Sequence, residues 1–253
     1  MTKIVSVHSF RGGTGKSNIT ANLAAIMATR GLKVAVVDTD IQSPGVHVIF
    51  GFDESKMAYS LNDYLWGKCE ISQAAYDITP GLGAEIEGKV YLVPSSINPG
   101  DIARVLHEGY DVNQLNEGFE ELGRALSLDI LIIDTHPGLN EETLLSISIS
   151  DVLLIIMRPD QQDYQGTSVT LDVANRLEVP RILLLVNKSP SVLETGEMKQ
   201  KVAGIYGCKV AGVLPHSEEM MTLASSGVFF LKYPQHPVSD LLNGVADNLF
   251  GDD

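Results

Sequence analysis

Cysteine, tryptophan and basic residues are scarce in this 253-residue chain. The two cysteines, Cys69 and Cys208, are too few and too far apart for a disulfide framework or a paired-cysteine metal site, so small, partly buried apolar side chains are the better interpretation. No apolar run approaches the length of a membrane span, and the strand pattern begins too early to leave room for a signal peptide. We therefore expect a cytoplasmic protein.

Positive charge is also in short supply. Eighteen Lys and Arg stand against 32 Asp and Glu, which gives a formal net charge of −14. This balance opposes nonspecific attraction to DNA and to anionic membranes unless the few cations cluster. A merely well-solvated surface and an acid-rich, high-salt cytoplasm are alternative explanations of the same charge.

Apolar segments of strand length, by contrast, are abundant and alternate with segments of helical periodicity. Nearly continuous apolar runs, typical of strands buried on both faces, predict strands at 3–8, 33–38, 89–94, 129–134, 151–157, 181–187 and 210–214. Apolar residues at helical spacing predict helices at 17–30, 60–66, 71–76, 102–107, 112–126, 168–177 and 238–250. Residues 52–88 are less regular and are expected to lie outside the sheet. The alternation predicts an α/β fold in a single domain over residues 1–253, with a doubly wound, mostly parallel sheet flanked by helices.

A glycine-rich loop separates the first predicted strand from the first predicted helix. It reads Ser9-Phe10-Arg11-Gly12-Gly13-Thr14-Gly15-Lys16-Ser17. Closely spaced glycines let backbone N–H groups turn inward, and these groups form an anion cradle with the N-terminus of the following helix. Lys16 then supplies a charge for the β- and γ-phosphates, and Ser17 an oxygen ligand for Mg²⁺. A chance Gly-Lys-Ser in a turn is less favoured, because strand, loop and helix occur in the required order.

Two predicted strands end in aspartate. One ends in Asp38, with Asp40 two residues later, and the other ends in Asp134. Ligands of parallel sheets bind beyond the carboxyl ends of the strands, so these acids are expected beside the loop. An apolar strand that ends in Asp is also the Walker B arrangement, in which the carboxylate holds the water shell of Mg²⁺.

The loop resembles the deviant Walker A motif of the MinD/ParA family of P-loop ATPases, whose pattern is Lys-Gly-Gly-x-Gly-Lys-[Ser/Thr]. The signature lysine of that pattern is replaced by Arg11. The residues that match are Gly12, Gly13, Gly15, Lys16 and Ser17. The resemblance continues in order through Asp38, Asp40, residues 134–138, Asn187 and Pro215.

This resemblance implies that the chain binds ATP and Mg²⁺. It assigns the nucleotide to Gly12, Gly13, Thr14, Gly15, Lys16, Ser17 and Asn18, and the metal to Ser17, Asp38 and Asp134. Asn187 resembles the adenine-reading residue of the family, and Pro215 would pack beside the base. For these two residues, a plain strand end and a turn proline are equally favoured.

Catalysis is assigned by the same resemblance to Lys16, Asp40 and Arg11. Asp40, in a first switch segment, would orient or deprotonate the attacking water. Residues 135–138 would form a second switch that senses the γ-phosphate. Arg11 would reach the nucleotide of a partner subunit as an arginine finger does, unless it pairs with a local carboxylate.

Two residues depart further from the family pattern. His136 occupies a position where proline is usual, and we interpret it as a loop residue rather than a phosphate-side hydrogen-bonding group. Asn18 replaces a common threonine, which predicts a weaker contact to the α-phosphate.

The functional class implied is an ATP-driven dimerisation switch that positions a division site, a chromosome, a plasmid or another cargo through a protein partner. A metal-cluster maturation ATPase of the same fold is an alternative, but neither Cys69 nor Cys208 follows the second switch where a cluster ligand belongs. A nucleotide-binding scaffold with little hydrolysis is a third class; Asp40 and Asp134 disfavour it, while Arg11 keeps it open.

The distribution of charge along the chain bears on two other partners, membranes and DNA. Residues 247–253 are acidic where a membrane-binding helix needs cations, so direct membrane binding is not expected. The one candidate DNA-binding cluster is formed by Lys199, Lys201 and Lys209, for which a solvated helix face is the favoured interpretation.

Overall fold

A computed structural model describes residues 1–190, 192 and 194–251, with the side chain of Leu106 left out of the description. Its centre is an eight-stranded sheet with the order β3-β4-β2-β5-β1-β6-β7-β8. The strands are β1 Lys3–His8, β2 Lys33–Asp38, β3 Tyr76–Asp77, β4 Lys89–Val93, β5 Ile130–Asp134, β6 Val152–Met157, β7 Arg181–Ser189 and β8 Lys209–Pro215. Every neighbouring pair is parallel except β3 with β4. The predicted doubly wound, mostly parallel sheet is confirmed.

Helices cover both faces of the sheet. They are α1 Lys16–Thr29, α2 Val46–Ile49, α3 Leu61–Leu65, α4 Pro99–Glu108, α5 Val112–Leu126, α6 Glu141–Ser148, α7 Gln161–Arg176, α8 Thr195–Tyr206, α9 Glu218–Leu223, α10 Phe229–Lys232 and α11 Pro237–Phe250. On one face α1 and α11 form a single apolar core with the strands. On the other face α5 packs over β2 and β5, while α7 and α8 pack over β6, β7 and β8.

The expectation that residues 52–88 lie outside the sheet is wrong at one point. Tyr76 and Asp77 form the antiparallel edge strand β3, with Tyr76 opposite Leu92 of β4. The Tyr76 hydroxyl both donates to the carbonyl of Tyr59 and accepts from its N–H, and the Tyr76 ring lies 4.8 Å from that of Phe52. The pairing with β4 and these contacts fix Tyr76 in extended backbone, and a short 3₁₀ turn at Ile71–Ala74 takes the place of the helix predicted at 71–76.

Helix α7 begins seven residues before its predicted start at 168. Asp160 caps it by accepting hydrogen bonds from the N–H groups of Gln162 and Asp163, a signal that apolar periodicity does not contain. Inside the helix, Gly166 leaves room for Phe10, because a Cβ there would lie 2.2 Å from the Phe10 ring. The glycine-rich loop is thereby held against α7.

The packing of α5 gives a test of the core. Phe119 is 1% exposed and packs in the cluster over β2 and β5, so Phe119→Ala should cost about 3–5 kcal/mol of unfolding free energy. For a chain of this size the melting temperature should fall by about 6–20 °C. Val169→Ala, at an exposed position on α7, is the control and should leave the melting temperature nearly unchanged. Equal melting temperatures for the two variants would contradict the assigned packing.

Candidate functional site

The glycine-rich loop connects β1 to α1, as predicted. Gly13 and Gly15 have φ values of 79° and 92°, a left-handed conformation that other residues adopt at a cost in strain. Gly15 is the N-cap of α1, whose first N–H groups have no partner inside the helix. A Cβ built at Gly13 would meet no atom within 4 Å, so open space lies beside the backbone there. This cradle fits the phosphate chain of a nucleotide.

A cleft of about 280 Å³ opens over this loop. Its lining is formed by Ser9, Gly12, Gly13, Thr14, Gly15, Lys16, Ser17, Asn18, Asp40, Gly45, Ile49, Pro137 and Ser225. The structure therefore brings all the predicted phosphate-loop residues together with Asp40. Two polar atoms of this region, Thr14 Oγ1 and Asn18 Oδ1, are buried without a protein partner among the described residues, as expected of groups that await a ligand.

Asp134, at the end of β5, lies beneath the loop with 0% exposure. Lys16 Nζ is 2.9 Å from its Oδ1, and Ser17 Oγ donates to its Oδ2 at 2.6 Å. Thr20, one turn further along α1, donates to Oδ1 at 3.1 Å. No motif or pattern in the sequence had indicated Thr20. These contacts compensate the burial of a carboxylate and fix the first turn of α1 on the sheet.

Asp38 ends the neighbouring strand β2 and pairs in register with Asp134. Its carboxylate accepts hydrogen bonds from the backbone N–H groups of Asp40, Gly45 and Val46. Burial, followed by the negative charge of Asp134, raises the pKa of Asp38 to about 7. Two buried carboxylates that share one ammonium group form a site with a deficit of positive charge.

This deficit, together with a donor set made only of oxygen atoms, fits Mg²⁺. Within the described ranges, no group of three or more His, Cys, Asp or Glu is arranged to hold a metal ion. Mg²⁺ usually keeps several waters and takes phosphate oxygens in addition to one or two protein ligands, so Ser17, Asp134 and Asp38 suffice in number.

Asp40 follows β2 and is tied to His136. The Asp40 Oδ1 lies 2.6 Å from Nδ1 of His136, and the backbone N–H of Ser43 donates to the same oxygen at 3.2 Å. The hydrogen bond that His136 donates to Asp40 is the largest influence on the pKa of His136, which is raised above its ordinary value despite partial burial. His136 lies in a loop and outside the cleft lining, in keeping with the sequence interpretation, but the sequence did not indicate its contact with Asp40.

Arg11 extends away from the phosphate loop and contacts two acids at the start of α7. Its Nη1 lies 3.4 Å from Asp160 and 3.4 Å from Asp163. Arg158 contacts the same two carboxylates at 3.2 Å each and also donates its backbone N–H to Asp163 at 2.8 Å. Within the single chain, Arg11 thus makes the local carboxylate contact that the sequence left open as an alternative.

Asn187 and Pro215 lie outside the cleft lining. The Asn187 carboxamide donates to the carbonyl of Thr14 at 2.7 Å and accepts the backbone N–H of Lys188 at 2.9 Å. Lys188, which the sequence analysis missed, has a left-handed φ of 56° and donates its Nζ to the carbonyl of Gly13 at 2.9 Å. Pro215 ends β8 opposite Ser189. The end of β7 therefore supports the phosphate loop through hydrogen bonds to the carbonyls of Thr14 and Gly13.

A buried histidine at the end of β1 was also missed. Nδ1 of His8 lies 2.8 Å from the hydroxyl of Thr135, whereas its Nε2 has no protein partner in the part of the chain described. Burial, followed by the charges of Lys16 and His136, lowers the pKa of His8 to about 3. A neutral imidazole therefore lies beneath the loop. The sequence did not indicate it because His8 ends a strand whose pattern is typical of a buried core.

The features that bear on other partners are separate from the cleft. The cysteines, both free, belong to different core regions. Lys199 and Lys201 are exposed on α8, and Lys209 is exposed at the start of β8. The acidic segment predicted at residues 247–253 includes Asp252 and Asp253, which lie outside the described residues. None of the helices described is both long and apolar enough to cross a bilayer.

Comparison with known proteins agrees with this geometry. The AAA domain family matches residues 2–180 of the chain. An uncharacterized ATP-binding protein of Methanocaldococcus jannaschii is 29% identical, in an alignment that covers 99% of this chain and 89% of that protein. The septum site-determining protein MinD of Neisseria meningitidis serogroup B is 24% identical, and the alignment covers 100% of this chain and 92% of that protein.

A solved structure has the same fold. It is the septum site-determining protein MinD of Pyrococcus horikoshii complexed with Mg-ADP, which matches with a TM-score of 0.79 at 21% identity and covers 98% of this chain and 96% of that one. Because the family match extends over most of the chain and the loop, sheet and relatives agree with it, the chain belongs to the AAA domain family and is a P-loop ATPase of the MinD/ParA type.

Proposed function

We propose that the chain is a Mg²⁺-dependent ATPase that works as a dimerisation switch in spatial positioning, through a protein partner in the cytoplasm. The observation that carries the proposal is the cleft in which the glycine loop, Lys16 and Asp40 meet above the buried Asp134. The MinD relative, named as a septum site-determining protein, supports a role in positioning. The Mg-ADP in the solved MinD structure supports the choice of nucleotide and metal.

The phosphate loop would hold the nucleotide by its charge and its amides. Lys16 contributes an ammonium group to the β- and γ-phosphates, and the N–H groups at the start of α1 surround the chain of phosphates. Ser17, with Asp134 and Asp38 behind it, would hold Mg²⁺. The metal, when bound, neutralises charge that develops on the phosphate oxygens.

Hydrolysis would be directed by Asp40. A water oxygen attacks the γ-phosphorus, the bond from that phosphorus to the β,γ-bridging oxygen breaks, and ADP and inorganic phosphate leave. Asp40, which lines the cleft, orients this water and accepts its proton. An in-line displacement requires the oxygen of this water and the leaving oxygen of ADP to lie on opposite sides of the phosphorus.

Arg11 would change partners when two chains associate. Its two contacts at 3.4 Å are long, and Arg158 keeps both Asp160 and Asp163 paired without it. Asp163 is only 3% exposed, so leaving its carboxylate without any cation would be costly. Arg158 still contacts Asp163 when Arg11 leaves, and this cost is avoided. Arg11 can therefore leave at small cost and reach the phosphates bound by a second chain, where a planar guanidinium suits the oxygens.

The metal-cluster alternative has less support. Cys69 and Cys208 lie in separate core regions, and burial raises the pKa of each thiol, which disfavours the thiolate that metals need. Exposed Lys199, Lys201 and Lys209 are too few for a DNA surface in a chain with a net charge of −14. A protein partner therefore remains the proposed reader of the switch.

Lys16→Ala tests nucleotide binding. The change removes a charged hydrogen-bond donor, so calorimetry with Mg-ATP should show an affinity reduced roughly tenfold or more. Because the change also leaves the buried Asp134 without its cation, the melting temperature is measured in parallel to confirm folding. Lys199→Ala, on the exposed face of α8, is the control. Equal ATP affinity in wild type and a folded Lys16→Ala would overturn the assignment.

Asp40→Ala should bind Mg-ATP and hydrolyse it roughly 10²–10⁴-fold more slowly, because water activation is lost. The slow variant should accumulate as a dimer on a sizing column with ATP and as a monomer without it. Asp172→Ala, an exposed acid on α7, should behave as wild type. If phosphate release by Asp40→Ala stays at the wild-type rate, the role passes to another acid, with Glu141 and Glu142 next in line.

Arg11→Ala should bind ATP nearly as wild type does while losing ATP-dependent dimerisation and turnover, because the contact to the partner's nucleotide is gone. Sedimentation in the presence of Mg-ATP measures the association, and phosphate release measures the turnover. Arg176→Ala removes an exposed arginine at the end of α7 and serves as the control. Wild-type dimerisation and turnover in Arg11→Ala would show that its contacts to Asp160 and Asp163 are its whole role.

A further inference from the structure

His136 lies in the segment that follows β5 and contacts Asp40 in the segment that follows β2. We infer that His136 is a positioning residue for ATP hydrolysis, which holds the Asp40 carboxylate in a fixed orientation toward the cleft. The inference rests on the proposed function, since it concerns the same reaction. His136 occupies a position where the family usually has proline, so this contact departs from the family pattern.

The hydrogen bonds to Asp40 fall on one of its two oxygens. His136 Nδ1 lies 2.6 Å from Oδ1, and the Ser43 N–H donates to that same oxygen. A carboxylate only accepts, so Nδ1 is the nitrogen that carries the proton. Among the residues that the structure describes, no donor contacts Oδ2 of Asp40. One oxygen is thus fixed by two donors, and the other is left for a water molecule.

The two members of the pair differ in their access to the cleft. Asp40 contributes to the cleft lining and His136 does not. Asp40 is therefore the residue that can contact a water held near the phosphates, whereas His136 acts only through its hydrogen bond to Asp40. This order separates the arrangement from one in which a histidine is the base and the acid only orients it.

His136 is itself anchored. Its carbonyl accepts the hydroxyl of Thr143 at 3.4 Å, and the N–H of Thr143 is held at 2.8 Å by Asn140, the N-cap of α6. Two residues further on, the N–H of Gly138 donates to the carbonyl of Ser9 at 3.1 Å. The donor that reaches Asp40 therefore comes from a segment fixed both to α6 and to the phosphate loop, which a mobile loop residue could not offer.

The turnover test compares His136→Ala with His136→Asn, which keeps a side-chain N–H donor. His136→Ala should lower kcat roughly tenfold or more, the effect of losing a hydrogen bond to a charged group, while calorimetric affinity for Mg-ATP stays at the wild-type value. His136→Asn should recover part of the loss. In an Asp40→Ala background, His136→Ala should cause no further decrease, because the residue acts only through Asp40. His107→Ala, at an exposed histidine on α4, is the matched control.

A second readout needs no turnover. In nucleotide-free protein, the Nδ1 proton of His136 should give a protected, strongly downfield NMR resonance. Asp40→Ala should abolish this resonance and Asp172→Ala should leave it in place. Melting temperatures of all variants establish that they are folded.

The outcomes are distinguishable. If the wild type hydrolyses ATP and a folded His136→Ala does so at the same rate, the positioning role is wrong and the proposed function stands. A parallel fall in ATP affinity, or an equal further loss in the Asp40→Ala background, would show that His136 acts on nucleotide binding or on structure instead, and would also overturn the inference. A wild type that binds ATP but never hydrolyses it would overturn the proposed function itself.

Discussion

The buried ion pair between Lys16 and Asp134 constrains the rest of the site. A carboxylate removed from water is costly unless it is paired and hydrogen-bonded, and here the first turn of α1 provides both an ammonium group and hydroxyls. The loop before α1 has to place the first turn of the helix against Asp134. This requirement fixes the position of the glycine-rich loop above Asp134. In the proposed function, a phosphate chain that draws Lys16 toward itself would weaken this compensation, and Mg²⁺ bound with the nucleotide would supply the positive charge that Asp134 then lacks. The binding of nucleotide and the binding of Mg²⁺ would then be coupled by electrostatics before any catalytic step.

The parts of the fold that follow from local pattern could be predicted from the sequence. Buried parallel strands are continuous apolar runs, and β1, β2 and β5 lie within one residue of their predicted bounds. Helices that begin with a polar turn are harder to predict, because their start is set by a capping side chain, as at Asp160 for α7 and Asn140 for α6. The two-residue strand β3 depends on contacts of Tyr76 with distant residues, and its own sequence is too short to carry a pattern.

The site was predictable to a similar degree. The loop, Asp38, Asp40 and Asp134 were found because each ends a strand or lies in a motif of fixed spacing. The partners of Arg11 and Asp40 were not found, since they lie 149 and 96 residues away along the chain and nothing in a single sequence connects them. Arg11 and His136 both depart from the family pattern, and in the folded chain each contacts a carboxylate. Each of these two substitutions, which look isolated in sequence, lies beside a carboxylate in the folded chain.

The phosphate loop is supported by residues from the far side of the chain, and this affects the order in which the site can form. Gly166 receives Phe10, while Asn187 and Lys188 bind the carbonyls of Thr14 and Gly13 across 173 and 175 residues. Contacts of such separation form late, because a long loop of chain must close first. During synthesis the glycine motif is made before β7, so the hydrogen bonds from Asn187 and Lys188 are added only after β7 has been made. A ribosome-bound fragment that ends before β7 would carry the whole glycine motif without the hydrogen bonds that Asn187 and Lys188 donate to it.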